Sequence, residues 1–289
     1  MKELAMTIRS YLFAPANHPR RAEKVFNVGA DAIILDLEDS VAISEKVTAR
    51  QAAVSALKGK KNCHAYVRIN DFSTDFCFGD LSSVIVGGLD GVVLPKVESV
   101  SQVIAVSWMI TALEKERDIT PNSIQIMPIL ETARGITSAA AIAKAGLRVK
   151  KVCFGAADYA QDLNLQLTPD EGELTSARDN IVLASRVAGI EPPVDSVWLE
   201  INDGNGLQSS AARVRNMGFQ GKLAIHPSQI PIINNVFTPS KEEVEFANKI
   251  VTAFEKAEAS GSASIQVDGH FVDYPIYERA LRTIATSET

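Results

Sequence analysis

Short apolar runs alternate with longer amphipathic stretches along most of the chain. Runs at 10–14, 32–36, 65–69, 91–94, 124–129, 152–154, 196–199 and 223–225 predict strands. Segments 19–28, 45–57, 80–86, 100–115, 133–145, 174–188, 204–217 and 227–235 predict helices. Several of these carry apolar residues at i, i+3, i+4 and i+7, the pattern of one packed face. Continuously apolar strands, each followed by a helix, indicate a parallel sheet buried on both faces. Eight such units suit a closed (β/α)₈ TIM barrel. The rival architecture, a doubly wound open sheet, usually carries a glycine-rich turn after its first strand. Here that turn reads Ala14-Pro15-Ala16-Asn17, so the barrel is favoured.

The end of the chain leaves the repeat. It predicts a helix over 241–260, a flexible Ser260-Gly261-Ser262-Ala263-Ser264 segment, a tail over 265–275 and a last helix over 276–285. The expected organisation is therefore a barrel over 1–238 and a C-terminal helical extension over 239–289, packed on its own barrel or crossing to a neighbour.

Composition narrows the function classes. A chain of 289 residues with 46% hydrophobic content can bury a large core. Its net charge of −6 offers no basic stripe for a nucleic acid backbone. Cys63, Cys77 and Cys153 match no zinc or disulfide spacing, which fits a reducing compartment. No apolar signal core follows the N-terminus and no run is long enough to span a membrane, so a cytoplasmic location is expected.

In a TIM barrel the site lies at the C-terminal ends of the strands. Here those ends read Asp36-Leu37-Glu38-Asp39, Arg68-Ile69-Asn70, Pro95-Lys96-Val97-Glu98, Leu130-Glu131-Thr132, Gly155-Ala156-Ala157-Asp158 and His226-Pro227. Loops are polar anyway, which accounts for some of these residues. Glu131 and Asp158 end neighbouring strands five and six. They are either a two-carboxylate contribution to a magnesium site or rim acids held in salt bridges. Arg68 either holds a carboxylate or developing enolate oxygen, or pairs with Asp36 or Glu38, and an acid that positions a substrate-binding arginine does both. Arg20, Arg21 and Lys24 form a basic cluster at the start of the first helix, either a phosphate-binding group or a solvated helix face. The four histidines form no HxxxH or HExxH pattern, and neither a GxSxG elbow nor a Walker loop is present. His226 is expected to cap or line the rim.

The motifs Leu12-Phe13-Ala14-Pro15-Ala16-Asn17 and Ile33-Ile34-Leu35-Asp36-Leu37-Glu38-Asp39-Ser40-Val41 resemble the citrate lyase β-subunit-like family. So do Val67-Arg68-Ile69-Asn70, Leu94-Pro95-Lys96-Val97-Glu98, Leu130-Glu131-Thr132-Ala133-Arg134-Gly135, Ala224-Ile225-His226-Pro227 and the closing Val267-Asp268-Gly269-His270-Phe271-Val272-Asp273. That family is similar to malyl-CoA and citramalyl-CoA lyases of the HpcH/HpaI aldolase group. The sequence departs from its pattern at Ala16 in place of glycine, at Ala156-Ala157-Asp158-Tyr159 and at His270 in place of lysine.

The resemblance implies a homotrimeric TIM barrel that binds Mg²⁺ and an acyl-CoA or acyl-carrier thioester. It implies Glu131 and Asp158 as metal ligands, Arg68 as the substrate-binding arginine, and Asp273 as the tail aspartate that enters a neighbouring subunit's site. Asp36 and Glu38 are expected beside the substrate. The expected reaction is cleavage of a β-hydroxyacyl-CoA, first citramalyl-CoA, into acetyl-CoA and a 2-oxo acid, pyruvate. Alternatives are the β subunit of a citrate lyase complex, a malyl-CoA lyase or synthase, and an inert barrel serving assembly. Retention of Arg68, Glu131, Asp158 and Asp273 argues against the last.

Overall fold

A computed structural model of the chain describes residues 7–18, 22 and 24–287. They form two compact units, residues 8–234 and a second that begins at residue 235. The first is a closed barrel of eight parallel strands in sequence order. Its elements are β1 (Ser10–Pro15), β2 (Ala32–Asp36), α1 (Lys46–Lys58), β3 (His64–Arg68), α2 (Cys77–Val84), β4 (Gly91–Leu94), α3 (Val100–Glu116) and β5 (Gln125–Leu130). There follow α4 (Ala133–Thr137), α5 (Ala139–Ala143), β6 (Cys153–Phe154), α6 (Ala156–Asp162), α7 (Thr175–Ala188), β7 (Val194–Asp195), α8 (Gly204–Met217), β8 (Gly221–Ala224) and α9 (Ile230–Phe237), within which the division between the units falls.

Strand residues alternate between the barrel interior and the helix-facing side. Tyr11, Ile34, Tyr66, Val93, Met127 and Ile129 belong to one buried interior cluster. Two positions further along the same strands, the alternation reaches Phe13, Asp36, Arg68 and Glu131. The ladder register sets Pro15 beside Asp36 and Asp36 beside Arg68 at one level of the barrel. The packing that fills the interior therefore also delivers an arginine and two acids to its mouth.

Three predicted elements differ. The seventh strand is Val194–Asp195 rather than 196–199. The apolar run Val197-Trp198-Leu199 lies beyond the ladder, where it covers the end of the barrel and lines a cleft. The single helix expected over 133–145 breaks at Ser138 into α4 and α5. An unpredicted helix, α6, starts directly after Gly155 and carries Asp158 in its first turn. Much of the helix expected over 19–28 lies outside the described residues; within it, Val25–Asn27 forms a 3₁₀ turn.

The second unit comprises α10 (Lys241–Ala259), a hairpin of β9 (Ile265–Val267) and β10 (His270–Val272), and α11 (Tyr274–Ser287). Its core gathers Ala247, Ile250, Phe254, Val267, Val272 and Ala280. The hairpin replaces the unstructured tail expected over 265–275. Asp268 and Gly269 both have positive φ, 45° and 83°, which suits the two-residue turn favoured between twisted antiparallel strands. Among the described residues, no helix is long and apolar enough to cross a membrane.

Candidate active site

Asp36 ends β2 with 1% of its surface exposed. Its Oδ1 and Oδ2 each accept a 2.7 Å hydrogen bond from Arg68, through Nε and Nη2 respectively. The backbone N–H groups of Glu38 and Ser40 also donate to Asp36. Burial pushes the Asp36 carboxyl up, but the Arg68 charge and these hydrogen bonds outweigh it and hold the group below its usual value. Both oxygens of Asp36 are thus engaged, by Arg68 and by the backbone of the loop that follows.

The remaining edge of the Arg68 guanidinium faces other acids. Its Nη1 lies 3.1 Å from Glu38 Oε2 and 3.7 Å from Asp39 Oδ2. The flat of the group rests 4.6 Å above the Phe13 ring centroid. Arg68 is therefore paired with both Asp36 and Glu38, and one nitrogen points away from the Asp36 fork.

Glu131 follows β5 and is 2% exposed. Its Oε1 accepts a 2.7 Å hydrogen bond from the Lys96 N–H. Gly155 makes the room for this carboxylate. A Cβ there would overlap Glu131 Oε2 and stand 2.6 Å from Glu131 Cβ, so any side chain at 155 would push the acid aside. Burial, then repulsion from Asp158 and from Glu38, raises the Glu131 carboxyl to about 8.

Lys96, to which the sequence reading assigned no role, stands among these groups. Its Nζ lies 2.6 Å from Glu38 Oε1 and 3.9 Å from both Asp39 Oδ2 and Asp158 Oδ1. Burial raises the Glu38 carboxyl despite Arg68 and Lys96. Glu38 Oε2 is buried and receives no hydrogen bond. The signal for Lys96 was a lysine directly after Pro95 at a strand end, where a side chain must turn out of the sheet.

This arrangement suits a divalent cation. The Glu131 carboxylate is buried against like charges, Asp158 is the acid that repels it most, and both are hard oxygen donors. Among the described residues, no group of three or more His, Cys, Asp or Glu side chains is set to hold a metal. Two protein carboxylates with substrate oxygens and waters completing the shell match the habit of magnesium rather than that of zinc or calcium.

A cleft of about 250 Å³ opens between the loops after β6 and β7. Its walls include Ala156, Ala157, Leu167, Pro169, Trp198 and Leu199, and Ala157 directly precedes Asp158. Several of its polar groups are used locally, whereas the Trp198 indole N–H is buried without a hydrogen-bond partner. The Ser196 hydroxyl accepts from the Ala156 N–H, and Glu171 accepts from Arg178, Ser210 and Arg213.

The other expected residues sit on other elements or fall outside the described residues. Lys24 is exposed, whereas Arg20 and Arg21 fall outside the described residues. Asp273 belongs to the second unit, where it starts α11 and its backbone carbonyl accepts from the Tyr277 N–H. His226 caps the 3₁₀ turn Pro227–Gln229 by accepting from the Ser228 N–H.

Comparison with known proteins shows the family. The family described as HpcH/HpaI aldolase/citrate lyase matches residues 9–227. The citrate lyase subunit beta of Escherichia coli K12 is 35% identical over 284 residues, covering 98% of this chain and 94% of that one. A (3S)-malyl-CoA thioesterase of Cereibacter sphaeroides is 34% identical over 290 residues, covering 100% of this chain and 97% of that one. The crystal structure of CitE from Mycobacterium tuberculosis in complex with magnesium, acetoacetate and coenzyme A is 30% identical. It aligns with a TM-score of 0.79 over 97% of this chain and 98% of that one.

Proposed function

The chain belongs to the HpcH/HpaI aldolase/citrate lyase family, and from that membership we propose that it is a magnesium-dependent carbon–carbon lyase acting on a β-hydroxyacyl thioester. The observation that carries this reading is the buried Glu131 carboxylate, seated in space that glycine at 155 leaves open and repelled by Asp158. The first substrate assigned is citramalyl-CoA, split into acetyl-CoA and pyruvate. A second reading, cleavage of citryl or malyl thioesters, has specific support in relatives of nearly equal identity named for citrate lyase and for malyl-CoA.

In this reading Glu131 and Asp158 hold Mg²⁺, which when bound supplies Lewis-acid stabilisation of negative charge on substrate oxygens. The hydroxyl proton passes to solvent water as the carbon–carbon bond beside it breaks, the C–O bond becomes the carbonyl of the 2-oxo acid, and the bonding pair passes into the thioester as an enolate. Arg68 directs Nη1, which lies 3.1 Å from Glu38, at a developing negative oxygen, and Asp36 keeps the guanidinium from swinging away. A proton is then delivered to the acetyl carbon. Asp273, as the resemblance implies, supplies it in a homotrimer, and such positioned acids contribute roughly 10²–10⁴-fold. Lys24, with Arg20 and Arg21, meets the phosphates of coenzyme A.

The test is incubation of the purified protein and Mg²⁺ with malyl-, citramalyl- and citryl-CoA, scoring the 2-oxo acid released. Pyruvate from citramalyl-CoA supports the first assignment, and glyoxylate or oxaloacetate transfers it to the second. Free acid without carbon–carbon cleavage would replace the lyase with a thioesterase.

A further inference from the structure

Lys96 combines two features that rarely meet in one residue. Its backbone is left-handed, with φ of 50°, a conformation that side-chain-bearing residues adopt at a cost and glycine adopts freely. The turn is fixed on both sides. The Lys96 N–H donates to Glu131, and the next N–H, of Val97, rejoins the sheet by donating to the Ile129 carbonyl. A glycine would satisfy that backbone, yet the position holds a long cationic side chain aimed back over the acids.

The ammonium has its short contact, 2.6 Å, with Glu38, and a longer one, 3.9 Å, with Asp158. Its side chain is a third exposed, and so is that of Asp158, so this part of the cluster is open to exchange. Glu38, by contrast, is nearly buried, with Oε1 already held by the lysine and Oε2 3.1 Å from Arg68 Nη1. The ammonium therefore has a place to withdraw to, Glu38, whenever something else takes Asp158.

We propose that Lys96 is a built-in counter-ion that competes with the divalent cation for Asp158 and so sets how tightly the site holds it. This inference rests on the assignment of Glu131 and Asp158 to a metal. Without the cation, the lysine partly neutralises Asp158 and keeps the acids together. With the cation bound, the two positive centres repel, and the lysine remains with Glu38. Lys96 is in this sense a positioning residue. The sign of its effect is the reverse of that expected for a purely structural contact, whose loss would loosen the site.

The test is Mn²⁺ binding to the full-length protein, followed by electron paramagnetic resonance of the free ion, with no substrate present. Lys96→Met is expected to bind Mn²⁺ roughly tenfold more tightly than the parent, because one like charge a few ångströms away has been removed. Lys96→Arg is expected to stay within about threefold of the parent, since it restores the charge. Lys96→Gly covers the case in which the methionine variant fails to fold. It relieves the left-handed backbone, removes the same charge and is expected to tighten binding in the same direction. Unchanged or weaker binding in the folded variants, beside a parent that does bind Mn²⁺, would overturn this inference alone. A parent that binds no Mn²⁺ would overturn it together with the metal assignment.

Discussion

Two charged clusters lie within the barrel unit, and they behave in opposite ways. On the helix-facing side of β7 and β8, Asp195 and Lys222 are paired across the ladder and both are fully buried. Arg178 from α7 donates to Asp195 at 2.9 Å and to Glu171 at 2.8 Å, and Ser210 and Arg213 complete Glu171. Three cations meet two acids there, and the hydrogen bonds close on themselves. At the mouth, Asp36, Glu38, Asp39, Glu131 and Asp158 outnumber Arg68 and Lys96, one buried oxygen of Glu38 lacks a hydrogen bond, and Glu131 is raised by its neighbours. A satisfied ionic cluster holds helix to sheet. A cluster left with surplus negative charge is incomplete without a ligand, and that difference distinguishes structural from functional charge.

The contrast is broken most directly by Asp158→Ala. Metal-dependent turnover is expected to fall by roughly 10³-fold or more, while the melting temperature of the metal-free protein holds or rises as repulsion on Glu131 is relieved. Undiminished, metal-independent activity would remove the assignment. Arg178→Met is the converse experiment. Leaving Asp195 and Glu171 without their guanidinium should cost about 3–5 kcal/mol of stability by urea denaturation. A loss under about 1 kcal/mol would mean that the buried cluster is not what joins α7 to the barrel.

Arg68→Lys keeps the charge and loses the fork on Asp36. The expected result is roughly a 10²-fold fall in kcat with metal affinity little changed, read from steady-state kinetics and Mn²⁺ titration. The pH dependence sharpens the comparison further. Glu131 is raised in the folded, metal-free state to about 8 from an ordinary 4.5. Its contribution to stability is therefore fully present below about pH 4.5 and lost as pH rises through about 8. Melting curves of the metal-free protein should show this decline, and Glu131→Gln should flatten it. The smallest effect expected is at Lys24: Lys24→Glu should raise the KM for the thioester roughly fivefold at low salt, and less at high salt. An unchanged KM would leave Lys24 a solvated surface residue.

Much of this site was legible because strand ends carry their residues in a fixed rhythm. Asp36, Arg68 and Glu131 each lie two positions beyond an interior residue, so periodicity alone put them at the mouth. The seventh strand was misplaced because its two residues, Val194 and Asp195, are too short to leave a pattern. The more apolar run after it serves the cleft and the barrel end. The Asp268-Gly269 hairpin had its signal in the sequence, since an Asp-Gly pair between alternating residues is a strong turn cue.

The sequence by itself determined the barrel, its strand order and the set of acids and cations at its mouth, because burial fixes the alternation and chain order fixes neighbouring strands. Only the tertiary structure decided how those charges are shared. That Arg68 commits two nitrogens to Asp36, that Gly155 yields its space to Glu131 and that Lys96 reaches toward Glu38 and Asp158 depend on distances between residues 24 to 62 positions apart. Coulombic and steric terms change steeply over a few ångströms, and no local pattern along the chain encodes separations of that size.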